Sequence, residues 1–291
     1  MGDGLDRREV LQGAAAVGVA GALGVGQAGS RAVAPAVFVS HGSPMVALDS
    51  DDYPKALKAL GDSAAAARAL VMVSAHWETE GEVRVTASAR PPLIYDFYGF
   101  PEPLYRLKYE APGAPELARD VVARLKDAGL PAVPDAERGL DHGTWVPLLH
   151  AFPQATLPVV QVSMPLGASP AEVSRMGEVL RPLRAQGVLL MGSGGIVHNL
   201  RRLNFHEKNA SVEPWAQAFD GWIAQKLEAR DFSGLQKWLD APNARLAHPR
   251  AEHLMPLYFT LGAALPEDRL TPVFEGFHHG TLSMRSFALR A

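Results

Sequence analysis

Cysteine does not occur among the 291 residues. Its absence removes a disulfide framework, thiolate ligation of a metal and a cysteine nucleophile together. Any metal must therefore sit on His, Asp or Glu. Positive charge is also scarce in the form nucleic acids require. The net charge is −3, and past the N-terminus no basic run exceeds two residues, so the electrostatic footprint of a nucleic-acid binder is missing. The expected ligand is small. No internal repeat, heptad or low-complexity linker follows the N-terminal segment. With 47% apolar residues, the length suits one large α/β domain or two small ones, and the pattern below favours one.

Residues 1–34 read as a segment outside the fold. Arg7-Arg8 precede an uncharged stretch of Gly, Ala and Val from Gly13 to Gly26, with small residues around Gln27-Ala28. That is the pattern of a twin-arginine export signal, with cleavage after Ala28, or after Ala34 were Pro35 not the next residue. A membrane-anchoring helix or a tail is the competing reading, but the run is short and Gly-rich for a span of roughly 20 residues. The expectation is export through the twin-arginine machinery to the periplasm or beyond, with no stable membrane insertion of the mature chain. If the segment is not functional, the protein is cytoplasmic.

The mature chain, 35–291, alternates strands and helices. Ala36–Ser40 is a short apolar run ending in His41-Gly42-Ser43-Pro44, a strand entering a turn. A helix from Pro54 to about Ala69 and a second apolar strand, Leu70–Ala75, ending at His76, complete a βαβ unit with parallel strands. Further helices are expected over Pro115–Ala128 and Ser169–Ala185, and strands over Leu157–Ser163 and Gly187–Met191. The last strand runs into Gly192-Ser193-Gly194-Gly195-Ile196-Val197-His198. Trp215, Phe219 and Trp222 lie on an amphipathic helix from Glu213 to Arg230 and read as core. Thr271–Phe277 and Thr281–Leu289, flanking His278-His279-Gly280, read as a terminal hairpin. The fold class is α/β, a single domain with a central, mostly parallel sheet flanked by helices.

Of ten histidines, several fall where chemistry is expected, outside the carboxyl ends of parallel strands. His41 and His76 stand at the ends of what should be adjacent strands about 5 Å apart, close enough for two imidazoles to converge on one ion. His198 follows a third strand end. His253 opens an apolar helical stretch with Glu252 beside it as a competing ligand, and spacing does not choose between them. His142 sits on a Gly-containing turn after Asp141, which suits a helix cap. The glycines at 192–195 lack the Lys-Ser/Thr of a phosphate loop, and Met191 stands where a nucleophile elbow around Ser193 would need Gly. A close approach of backbone to a bound ligand explains them better.

Taken in order, Ser40-His41-Gly42-Ser43-Pro44, Ser74-Ala75-His76-Trp77, Asp141-His142-Gly143-Thr144-Trp145, Gly192 to Leu200 and His248-Pro249-Arg250-Ala251-Glu252-His253 resemble the motifs of class III extradiol dioxygenases. The branch is that of the 4,5-DOPA dioxygenases in the LigB-like superfamily. The resemblance runs from about Pro35 to the C-terminus, where Gly280 to Arg285 also looks familial. It implies a single α/β domain, with His41, His76 and His253 as metal ligands and His198 as the acid/base. In some members the histidine equivalent to His198 also lies near enough to ligate zinc. It further implies that His142 contacts substrate or dioxygen in the pocket, that Fe(II) serves activity, and that Zn(II) is able to occupy the same site. An export signal departs from this largely cytoplasmic group, which bears on the physiological substrate more than on the chemistry. Protocatechuate-type relatives carry a carboxylate where His253 stands.

The implied reaction joins a small aromatic diol and dioxygen and gives a ring-opened semialdehyde, with His198 taking up and returning a proton. Tyr95, Phe97, Tyr98 and Phe100 form an aromatic, proline-rich loop whose rings either stack on the substrate or pack among themselves. Two rival readings keep the histidines. Three imidazoles and a water also make a hydrolytic zinc site, and a periplasmic metal-binding protein would use the same ligands without chemistry.

Overall fold

The computed structural model describes Met1 and residues 33–291. The export-signal reading, over residues 1–34, lies outside the described residues except at Met1, Val33 and Ala34. The strands are β1 Ala36–Ser40, β2 Ala69–Thr79, β3 Val83–Thr86, β4 Ala132–Asp135, β5 Val159–Pro165, β6 Val188–Gly194, β7 Arg269–Phe274, β8 Phe277–His278, β9 Leu282–Ser283 and β10 Ser286–Arg290. The helices are α1 Asp52–Ser63, α2 Glu102–Tyr105, α3 Pro115–Asp127, α4 His142–Ala151, α5 Pro170–Leu180, α6 Pro214–Glu228, α7 Phe232–Leu235, α8 Ala244–Ala247 and α9 Met255–Gly262. No helix among the described residues is long and apolar enough to cross a membrane.

Eight strands form one sheet in the order β4-β3-β5-β2-β6-β1-β10-β7. Its centre, β5-β2-β6-β1, is parallel, and the β3–β5, β1–β10 and β10–β7 pairs are antiparallel. The central strands are apolar at nearly every position because both faces are covered. Alternation is still visible in where the side chains go. Ala36, Phe38, Val71, Val73 and Leu190 join the layer beneath α3, α5, α6 and α9. Val37, Val39, Leu70, Met72 and Leu189 join the layer beneath α1 and α4. Phe219 of α6 is buried in the first layer, with Trp215 and Trp222 packed at its margin.

Several features differ from the expectation. β1 and β2 are parallel but not adjacent, because β6 pairs with both of them. The α1 crossover is long enough to step over one strand, and β6, buried on both faces, takes the centre. The two strand axes are thus about 10 Å apart rather than one spacing. Second, β2 does not stop before His76. It runs to Thr79, with its pairing to β6 ending at Ser74 and its register with β5 shifting between Val73 and Glu78. His76 occupies that irregular stretch, and such bulges re-aim side chains. Third, β7 and β10 do pair as the terminal hairpin, but the β8–β9 ribbon stands between them, and β10 continues the sheet from β1. The expected helix to Ala185 is an α-helix only to Leu180 and then tightens into a 3-10 turn over Arg181–Gln186.

Candidate metal centre

The carboxyl ends of β1, β2 and β6 share one sheet edge, and the site is built there. His41 follows β1 and is fixed by its backbone N–H, which donates to Gly194 O at 3.1 Å. Gly42 then turns the chain with φ +69°, a left-handed conformation that glycine adopts without steric cost. α4 begins at the same edge because Asp141 caps it, its carboxylate accepting from Thr144 N at 3.2 Å. Asp141 is itself buried and accepts from Ser74 Oγ at 2.8 Å and from the Gln161 amide, so the cap also ties α4 to β2 and β5. His253 lies just before α9.

The imidazoles of His41, His76 and His253 meet across these elements. His41 Nε2 is 3.0 Å from His76 Nε2, and His76 Nε2 is 3.3 Å from His253 Nε2. Each opposite ring nitrogen faces an acceptor. Ser193 gives its hydroxyl proton to Gly143 O, so its oxygen accepts from His41 Nδ1 at 3.0 Å. Glu252 Oε1 accepts from His253 Nδ1 at 3.0 Å. Asp96 Oδ2 stands 3.5 Å from His76 Nδ1. Protons on the three Nδ1 atoms leave lone pairs on the three Nε2 atoms. Burial first, and then the neighbouring histidines, push the pKa of His41, His76 and His253 well below the ordinary histidine range, so all three are neutral.

Ligand nitrogens of His41, His76 and His253 all lie within 4.8 Å of one another, a donor set that a divalent cation would complete. Two nitrogens each about 2.0–2.1 Å from a shared ion are separated by about 3 Å, which the observed spacings match. The partners on Nδ1 provide the outer support that metal-binding histidines ordinarily have. His41, His76 and His253 therefore fit a metal. Glu252, the competing ligand in the sequence, is engaged on the far nitrogen of His253.

Two further histidines border the centre. His198 stacks on His253 with ring centroids 3.4 Å apart and planes 5° apart, and burial, with help from His248 and His142, lowers its pKa to about 3. His142 lies 4.0 Å from His76 and 5.5 Å from His41 by ring centroid. Its backbone N and its Nδ1 both donate to Asp96 Oδ1, at 2.9 and 3.0 Å. Burial alone would raise the pKa of Asp96, but the side-chain and backbone hydrogen bonds it accepts from His142, with His76 close by, bring it to about 2.

The aromatic loop divides. Phe97 meets His142 edge-on at 5.6 Å. Tyr95 stands behind it, donating to Leu107 O and packing on Trp145 at 5.8 Å. Phe100 packs on Phe97 at 5.5 Å, and Tyr98 is 93% exposed. Sequence reasoning missed Asp96, although it is the sole acidic residue between Glu82 and Glu102. It also missed Ser193 as the partner of His41, having weighed that serine only as a nucleophile.

The glycines before His198 serve a different approach from the one expected. A Cβ on Gly192 would lie 2.1 Å from Pro256 O, and one on Gly194 would lie 2.1 Å from His253 O. What comes close is the protein's own backbone at the start of α9, which is how His253 reaches the other two rings. Gly194→Ala should therefore displace His253, destabilise the fold by about 1–3 kcal/mol and weaken metal binding. Gly195→Ala, whose Cβ has no neighbour nearer than 3.7 Å, should be tolerated. Thermal melts and metal titration of the pair check this, and equal behaviour of the two variants would refute it.

A buried cluster of neutral histidines, supported on their outer nitrogens at the mouth of an α/β sheet, defines a metalloenzyme site. Residues 35–283 match the family described as the catalytic LigB subunit of aromatic ring-opening dioxygenase. The chain belongs to that family and is an extradiol, ring-cleaving dioxygenase. It is 40% identical to the 4,5-DOPA dioxygenase extradiol of Escherichia coli (strain K12), over 87% of this chain and 93% of the relative. It is 37% identical to the 4,5-DOPA dioxygenase extradiol of Beta vulgaris, over 86% and 94%, and 34% identical to dioxygenase tasH of Hapsidospora irregularis, over 82% and 80%. The crystal structure of an uncharacterized protein from Escherichia coli K12 superposes with a TM-score of 0.75 at 34% identity, covering 88% of this chain and 99% of that one.

Proposed function

We propose that the protein opens the ring of a DOPA-like catechol with dioxygen, using Fe(II) held by His41, His76 and His253, and releases a semialdehyde that keeps both oxygen atoms. The observation that carries this reading is the meeting of three Nε2 lone pairs beside two further histidines, in a chain similar to 4,5-DOPA dioxygenases along most of its length. Fe(II), when bound, supplies coordination positions for both diol oxygens and for dioxygen, and a route for electrons between them. The protein's part is electrostatic and positional. Three neutral imidazoles leave the ion's charge undiminished, which favours an anionic diol.

His198 enters neutral and able to accept a hydroxyl proton. Burial makes His198 a weak base in the free site. An anionic diol alongside would raise its basicity, since an opposite charge favours the protonated form. The proton is then readily given back as the ring opens. Phe97, edge-on to His142, is the loop residue placed to meet the substrate ring. Residues 1–34, with Arg7-Arg8 and the Gly/Ala run, direct export by the twin-arginine route.

Anaerobic reconstitution with Fe(II), then L-DOPA or catechol, then air, should give a yellow product and one dioxygen consumed per diol. The zinc-loaded protein should give neither, because Zn(II) suits the same ligands but has no redox chemistry. An iron-loaded enzyme that consumes no oxygen with any catechol would end this proposal.

A further inference from the structure

One carboxylate holds two histidines of the site. Asp96 lies in the irregular segment between β3 and α2, yet its Oδ1 accepts both the backbone N–H and the ring Nδ1–H of His142, and its Oδ2 faces Nδ1 of His76. His142 is the first residue of α4, so the carboxylate meets a helix N-terminus, whose free N–H groups and dipole favour negative charge. Three elements, the aromatic loop, α4 and β2, are thereby pinned at one residue. Phe97, the next residue, is held against the His142 ring by the same anchor.

The arrangement makes the two nitrogens of His142 inequivalent. An ionised carboxylate only accepts, so in the neutral ring Nδ1 carries the proton and Nε2 carries the lone pair. Nε2 has no hydrogen-bond partner among the described residues, and the ring borders both His76 and His41. We propose that Asp96 is a positioning residue that locks His142 in its Nδ1–H form, presenting Nε2 as the hydrogen-bond acceptor for a hydroxyl of the bound diol. Its grip on His76 through the other oxygen sets the distance between that acceptor and the metal ligands. The role of the diol rests on the ring-opening reading above; the tautomer does not.

The expected pattern is specific to a charged acceptor. In Asp96→Asn, whichever way the amide turns, its NH2 faces one of the two Nδ1 atoms, so a side chain of the same shape should not substitute. In Asp96→Ala the His142 tautomers should mix.

The test uses the zinc-loaded full chain, which is diamagnetic and does not turn over. Nitrogen-15 spectra of the histidine side chains, with His142 assigned by its loss in His142→Gln, should find a protonated Nδ1 and a bare Nε2 in the wild type. Asp96→Ala should lose that pattern, and both Asp96→Ala and Asp96→Asn should bind the chromophoric diol 4-nitrocatechol at least about tenfold more weakly. In the iron enzyme, KM for the diol should rise more than kcat falls, and Asp96→Glu should restore part of the affinity. A wild-type His142 protonated on Nε2 would overturn the proposal even if neither variant folded. So would variants that keep both the tautomer and the affinity for 4-nitrocatechol. Absence of ring opening by the wild-type iron enzyme would instead count against the proposed reaction, and the spectra of the zinc protein keep the two failures apart.

Discussion

His41→Ala and His76→Ala should each emerge from dialysis with almost no bound iron and with oxygen uptake at background. Each ring supplies one of the three Nε2 atoms, 3.0 Å apart for this pair. Glu252 is engaged by His253 and Asp96 by His142. Removing even an outer partner of a metal-binding histidine typically costs about 10- to 100-fold in affinity, so losing the ligand itself should cost more. The fold should persist, because the rings lie at the sheet edge rather than within either apolar layer. Iron per chain by atomic absorption, paired with a thermal melt, is the measurement. A folded variant that keeps a full equivalent of iron would remove that residue from the ligand set.

His198→Ala should separate turnover from binding. Its ring stacks on His253 but is not needed to complete the three-nitrogen set, so iron content should match the wild type. Proton transfer by a positioned side chain contributes about 10²- to 10⁴-fold, equivalent to about 3–5 kcal/mol of barrier, and turnover should fall by that much. His198→Gln keeps a polar group of similar size without a base and should be as slow, which distinguishes proton transfer from packing on His253. Oxygen-electrode rates at saturating diol, normalised to bound iron, decide it. Wild-type turnover in either variant would mean that another group handles the proton.

Much of this architecture was written in short stretches of chain. The runs Ala36–Ser40 and Gly187–Met191, each ending in a turn, identify strands buried on both faces, and Asp141 before an apolar stretch identifies a helix cap. Both depend on neighbours in sequence, where hydrophobic pattern and capping act. The place of β6 between β1 and β2 was not legible, since parallel strands joined by a helix satisfy the same pattern whether or not a third lies between them. The irregularity that aims His76 was hidden for a related reason, since it arises from pairing with β5 and β6, not from the residues of β2. Asp96, amid aromatic residues, gave no local sign of its partners on α4 and β2.

By itself the sequence determined the chemistry available: no thiolate, histidines at strand ends, and apolar runs that could only form a sheet covered on both sides. Only the tertiary structure decided which nitrogen of each ring faces inward. That choice depends on acceptors such as Ser193, 152 residues from His41, and on rings 177 residues apart, as His76 and His253 are. A lone pair is directed by the hydrogen bond on the other side of its ring, and that bond exists only once distant segments have packed together.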